Sequence, residues 1–177
     1  AVERVHRTYE LFDTVVVMFS GGKDSTACLN IVLDVAKERG IKKVPVYHFD
    51  EEAIPYETED YVRRVANLPE VEFHWLCVPI RHRNACSYSQ PWWFPWAPED
   101  KDKWVRPLPP EAITHLKGYP KNPEQRMTVP EMNGFLFDPQ KFGNVAIVMG
   151  IRADESLTGT RAILNSQSRE EKHIIKY

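Results

Sequence analysis

The stretch "TVVVMFSGGKDSTACLNIVLDVAKERGIKKVPVYHF", residues 14–49, constrains the fold more than any other part of the chain. Residues 14–19 are a continuous β-branched and apolar run, the pattern of a strand buried on both faces in a parallel sheet. Residues 24–39 then place Ala27, Cys28, Ile31, Val32, Val35 and Ala36 on one helical face. Lys37 and Arg39 fall in the last turn and Gly40 stops it, as helix C-termini prefer. Residues 44–49 read as the next strand. Strand, helix and strand make one βαβ unit, and such a crossover joins parallel strands.

The rest of the chain extends this unit on both sides. Residues 3–12 set Val5, Tyr9 and Phe12 at helical spacing. Residues 57–68 predict a further helix, with acids in its first turn and Tyr61, Val62, Val65 and Leu68 facing inward. Residues 71–78, "VEFHWLCV", read as a third strand. From 79 to 143 the pattern changes: most of the prolines and four of the five tryptophans gather there without sustained periodicity. Proline denies regular structure while the aromatics argue against plain disorder, so the segment reads as an ordered insertion with a short helix near 110–117. "NVAIVMGI" (144–151) restores a buried strand, and a helix is expected towards the end. The expectation is one domain over 1–177, an α/β fold with a doubly wound, mainly parallel, Rossmann-like sheet.

Composition narrows the setting. The 177 residues are 42% hydrophobic and 27% charged, as in soluble globular proteins, and the net charge of −2 gives no global pull towards nucleic acid or anionic lipid. No run approaches the roughly 18–20 apolar residues of a membrane span, and no leader peptide is recognisable. Three cysteines, Cys28, Cys77 and Cys86, are too few for a disulfide framework, and a cytoplasmic protein is expected.

The turn "SGGKDS", Ser20-Gly21-Gly22-Lys23-Asp24-Ser25, carries the chemistry. Between a strand and a helix, backbone N–H groups point at a ligand, and glycines let oxygens approach. Lys23 adds charge, and Ser20 and Ser25 add hydroxyl donors. A Walker A loop would place its first glycine at Val17 and a Ser or Thr at Asp24, so this is not that loop, and the dinucleotide G-x-G-x-x-G is absent. A second polar stretch, "MGIRADESLTGTR" (149–161), ends the last strand. A glycine there opens room beside the first βα loop, where ligands of doubly wound sheets sit, and Arg152 and Arg161 can clamp phosphate or sulfate oxygens or simply be solvated. Asp50, in "YHFDEEAIPYET" (47–58), falls at the same sheet edge, while Glu51 and Glu52 suit the cap of the following helix.

These motifs resemble a known family. "SGGKDS" matches the PP-loop of the adenine nucleotide α-hydrolase-like, or ATP-pyrophosphatase, superfamily. Gly150, Arg152, Glu155, Ser156 and Arg161 are similar to the late G-I/L-R-x-x-E/Q-S…R motif of the phosphoadenosine phosphosulfate (PAPS) reductase family, and Asp50 to its acid-ended strand. Residues 77–109 further resemble the branch of that family found in phages and mobile elements and related to immunoglobulin-binding regulators. The resemblance implies an adenine nucleotide, ATP or PAPS, bound by Ser20–Ser25, Asp50, Gly150, Arg152, Glu155 and Ser156. Lys23, Arg152 and Arg161 would act on the reacting group, with Mg²⁺ bridging phosphate oxygens. ATP would be cleaved between α- and β-phosphates to adenylate an acceptor; PAPS would give up a sulfuryl or sulfite group.

One departure limits that implication. Reductases of the family attack sulfur with a C-terminal cysteine in E-C-G-I/L-H, and this chain ends "SREEKHIIKY" with no cysteine after Cys86. Reduction would then need a thiol-donor partner or Cys86, which follows the basic "RHRN". Cys28 and Cys77 read as core. Cys77, His82 and Cys86 lack a fourth zinc ligand, so no metal site is expected. Arg81 and Arg83 can bind a terminal phosphate or be solvated; the tryptophans can stack a base or pack the insertion. A nucleotide-sensing module without chemistry is the alternative reading, and nucleic-acid modification a weaker third.

Overall fold

A computed structural model of the chain describes residues 1–151. Arg152, Glu155, Ser156, Arg161 and the helix expected near the C-terminus lie outside the described residues.

The βαβ unit forms as its pattern dictates. Strand β1 (Thr14–Met18) leads into helix α2 (Lys23–Glu38), strand β2 (Val44–Phe49), helix α3 (Tyr56–Ala66) and strand β3 (Val71–Leu76), while α1 (Val2–Leu11) precedes them. After the insertion, β6 (Val145–Met149) returns to the sheet on the far side of β1. The order is β3-β2-β1-β6, and every pairing is parallel. The strand order therefore reverses between β1 and β6, which leaves a crevice at their C-terminal ends.

Alternation along the strands splits the core into two layers. Val17, Phe19, Val46 and Trp75 face Leu29, Val32 and Ala36 of α2 and Val62 and Val65 of α3, with Val5 and Tyr9 of α1 packed alongside. Val16, Met18, Tyr47, Phe49 and Leu76 face the other way. There they meet Met132 and Leu136 of helix α4 (Val129–Leu136), and Phe137 just beyond it. The fold is α/β with a four-stranded parallel sheet covered on both faces.

Several expectations need correction. On α2 the buried stripe runs Ser25, Leu29, Val32, Val35 and Ala36, and Ala27 is exposed; Leu29, Val32 and Ala36 are the residues that pack on the sheet. Leu68 is exposed beyond the end of α3. No helix forms at 110–117: Ile113 bridges Leu76, donating to the Trp75 carbonyl at 2.7 Å and accepting from Cys77 N–H at 3.0 Å. Pro109 and Pro110 open a tight turn before it, closed by Ala112 N–H donating to the Pro109 carbonyl at 3.1 Å. The insertion's α-helices are instead α4 and the short α5 (Pro139–Phe142), with 3-10 turns at Pro98–Lys103 and Pro123–Gln125. At the start of α4, Glu131 accepts from both the N–H and the hydroxyl of Thr128, with Pro130 in the first turn. Strand β6 is half-buried rather than buried, since Ala146 alone of its residues is buried and Met149 is exposed.

Candidate functional site

The loop after β1 is held by its own hydroxyls. Phe19 N–H donates to the Tyr47 carbonyl at 2.8 Å, which ties the strand end to β2. Ser25 Oγ donates to Gly22 O at 2.9 Å and receives Ser20 N–H at 3.3 Å. Its one proton being spent, the 3.0 Å contact between the two hydroxyls has Ser20 as donor. Ser20 Oγ in turn accepts Gly22 N–H at 3.3 Å. Gly21 sits at φ +81°, and a Cβ there would lie 2.9 Å from Thr58 Cγ2 on α3, so two constraints demand glycine. The first intrahelical bond runs from Thr26 N–H to Gly22 O at 3.0 Å. The N–H groups of Lys23, Asp24 and Ser25 at the start of α2 therefore have no helical carbonyl to meet, and they carry the positive end of the helix dipole. Lys23 is exposed beside them.

Gly150 brings the second motif onto the first. A Cβ on it would lie 2.6 Å from both Asp24 C and Ser25 N, and 2.9 Å from Asp24 O. The end of β6 is thus pressed against the first turn of α2 with no room for a side chain. A cavity of about 250 Å³ opens there. Ser20, Ser25 and Gly150 line one part of it; Met18, Tyr47, Phe49, Val129 and Met149 supply apolar wall, and Glu51 a carboxylate. Of the residues expected to bind, Ser20, Ser25 and Gly150 line this cavity, while Gly21, Gly22, Lys23 and Asp24 belong to the adjoining loop and helix start without lining it.

Asp50 is placed differently. It is fully buried and does not line the cavity. Its carboxylate accepts from Trp75 Nε1 at 2.7 Å, Glu52 N–H at 2.7 Å and Arg106 Nη2 at 2.6 and 2.7 Å. Burial pushes the Asp50 carboxyl up, but the donors of Arg106, Trp75 and Glu52 together hold it below its ordinary value. Glu52 does not cap α3. Buried at φ +63°, it accepts from Trp96 N–H at 2.8 Å and Val105 N–H at 3.1 Å, and its carbonyl takes Arg106 Nε at 2.9 Å. Asp50 and Glu52 thus anchor the insertion to the end of β2.

The aromatic and basic residues of the insertion divide. Trp96 is buried and meets Trp104 edge-on at 5.1 Å, while Trp92 is exposed, with the Arg81 guanidinium 5.1 Å from its ring centroid. Trp92 and Trp93 form strand β5, paired with β4 (His82–Arg83) in an antiparallel hairpin. Arg81 Nη2 also reaches Glu131 at 3.5 Å, and His82 Nδ1 lies 3.8 Å from Glu51 Oε1. Cys77 is buried and Cys86 exposed. Among the described residues no three His, Cys, Asp or Glu side chains gather as a metal cluster.

Sequence reasoning missed the apolar wall and the roles of Glu51 and His48. The wall is legible only as alternation in β2, because which face of a strand meets a cavity depends on the elements packed over it. His48, fully buried, joins its Nδ1 to the Phe19 carbonyl at 2.7 Å, bracing the residue just before Ser20.

No family model matches the chain, and no solved structure matches it. It is 35% identical over 175 residues to the uncharacterized protein YbdN of Escherichia coli (strain K12), an alignment covering 94% of this chain and 42% of YbdN. The chain therefore spans less than half the length of that relative. No described helix is long and apolar enough to cross a membrane.

Proposed function

We propose that the chain is a cytoplasmic PP-loop domain of the adenine nucleotide α-hydrolase-like type, akin to PAPS reductases, which binds ATP or PAPS in the β1–β6 crevice. The observation that carries the reading is the contact of Gly150 with the Asp24–Ser25 peptide, because it joins two separate sequence motifs at one cavity. Phosphate oxygens would meet the free N–H groups at the start of α2, the Ser20 and Ser25 hydroxyls and Lys23, and the base would lie against the Tyr47 and Phe49 side of the wall. Arg152 and Arg161 would add charge as the leaving group departs.

With ATP, an acceptor attacks the α-phosphorus, the bond to the bridging oxygen breaks, and pyrophosphate leaves with the electron pair. Mg²⁺ would arrive with the nucleotide, held chiefly by phosphate oxygens, and would neutralise part of their charge. With PAPS, an acceptor attacks sulfur and adenosine 3′,5′-bisphosphate departs. No described cysteine lines the cavity, which favours these transfers over reduction unless a partner supplies the thiol. Glu51 and the Tyr47 phenol, which burial holds protonated, are the ionisable side chains among the described lining residues, and that scarcity of acid–base groups favours, as second reading, a nucleotide-sensing module without chemistry.

Incubation with ATP or PAPS, following pyrophosphate, sulfite and adenosine 3′,5′-bisphosphate, separates the readings. Turnover that disappears in Lys23→Ala is expected. Binding without turnover under any acceptor leaves the sensing module, and binding undiminished in Lys23→Ala overturns the loop assignment.

A further inference from the structure

The nucleotide reading leaves ATP and PAPS as alternatives, and the two differ in charge on the ribose. PAPS carries a 3′-phosphate; ATP carries a free 2′,3′-diol. Glu51 lies two residues beyond β2, is half-exposed, and lines the same cavity as Ser20, Ser25 and Gly150. In dinucleotide-binding doubly wound sheets an acid near the end of the second strand accepts from the ribose 2′-hydroxyl, and arginine meets a 2′-phosphate. The same charge logic holds at the 3′ position.

Among the described residues, three arginines of the insertion are committed to partners other than Glu51. Arg106 is committed to Asp50 at 2.6 Å, Arg126 to Glu99 at 2.7 Å, and Arg81 reaches Glu131 at 3.5 Å while lying over Trp92. His82 Nδ1 lies 3.8 Å from Glu51 Oε1, and burial favours its neutral imidazole against the opposing pull of the Glu51 carboxylate. Among the described residues, no cation lines the cavity wall that holds Glu51.

We propose that this cavity selects adenine nucleotides with an unmodified ribose, ATP rather than PAPS, with the Glu51 carboxylate accepting from a ribose hydroxyl and repelling a phosphate in its place. The inference rests on the nucleotide reading above and makes adenylation with pyrophosphate release the chemistry of the site.

Adenosine 5′-monophosphate and adenosine 3′,5′-bisphosphate differ only in the 3′-phosphate, and their dissociation constants test the idea by calorimetry on the full chain. The wild type is expected to prefer the monophosphate by about tenfold or more, and Glu51→Gln to bring the two within about threefold. The 3′-deoxy monophosphate should bind the wild type more weakly than its parent, and Glu51→Gln should remove that difference. Equal or tighter binding of the bisphosphate by the wild type, or a ratio unchanged in Glu51→Gln, overturns the selectivity and leaves the nucleotide site standing. Failure of every adenine nucleotide to bind overturns the nucleotide reading itself. Glu51 is half-exposed, so an unchanged thermal midpoint in Glu51→Gln assigns any change to the ligand.

Discussion

Arg106 and Asp50, 56 residues apart in sequence, meet with one guanidinium nitrogen 2.6 and 2.7 Å from the two carboxylate oxygens. Asp50 is fully buried, and the same guanidinium lies over the Trp96 ring at 4.9 Å. This pair joins the irregular insertion to the sheet edge that carries the candidate site. It also turns an acid that reads as a ligand into a structural anchor.

Removing one member of that pair should be costly. Arg106→Met leaves a buried carboxylate without its cation and is expected to destabilise by about 3–5 kcal/mol. The double variant Asp50→Asn/Arg106→Met should recover part of that loss. Urea denaturation checks it; a double variant no more stable than Arg106→Met would show that the charge is not the cause.

Gly150 should tolerate no side chain. Gly150→Ala places a carbon 2.6 Å from Ser25 N, so a loss of about 1–3 kcal/mol is expected, together with weaker nucleotide binding as the first turn of α2 shifts. Gly134, inside α4 with open space around its Cβ position, is the control: Gly134→Ala should stabilise by up to about 1 kcal/mol. Similar effects of the two substitutions on melting would contradict the packing described.

Burial makes His48 pH-sensitive. Desolvation lowers its value below the ordinary 6.5, against the opposing pull of the Phe19 carbonyl and Asp50. The unfolded chain then binds the proton first as pH falls. The stability this neutral imidazole contributes is complete above 6.5 and is lost as pH drops from there towards the folded value. His48→Asn keeps an N–H for Phe19 O and removes the titration. Urea midpoints measured from pH 8 to 5 should fall less steeply in the variant, and equal slopes would count against the assignment.

Thiol accessibility should follow burial. Cys86 is exposed and is expected to react first with an aromatic disulfide reagent, a fast phase that Cys86→Ser removes. Cys77 is buried, and burial beside Asp50 pushes its thiol up, so it should react only on unfolding. Rapid reaction of two thiols in Cys86→Ser would contradict the core placement.

Much of the architecture was legible because it rests on local chemistry. A β-branched run, a Gly-Gly turn and an amphipathic helix stopped by glycine specify β1, the loop and α2 with little help from elsewhere. Hydrophobic alternation then yields β2 and β3. Thr128-x-x-Glu131 with Pro130 was an equally local signal for α4, hidden by the prolines around it. The helix expected at 110–117 failed for the opposite reason: Ile113 found a non-local partner in Leu76, and the prolines before it form a single turn that leads into that bridge.

The sequence by itself determined the parallel βαβ unit, the Gly-Gly turn at Ser20–Ser25 between strand and helix, and the presence of a second glycine-containing motif at Gly150. Periodicity and turn chemistry act over a few residues, so those features survive without tertiary context. Only the tertiary structure decided which acid faces the cavity. Asp50 and Glu51 are neighbours in sequence, but successive side chains at a strand end diverge, and Arg106 arrives from the insertion to claim Asp50. Glu51 is left at the cavity wall.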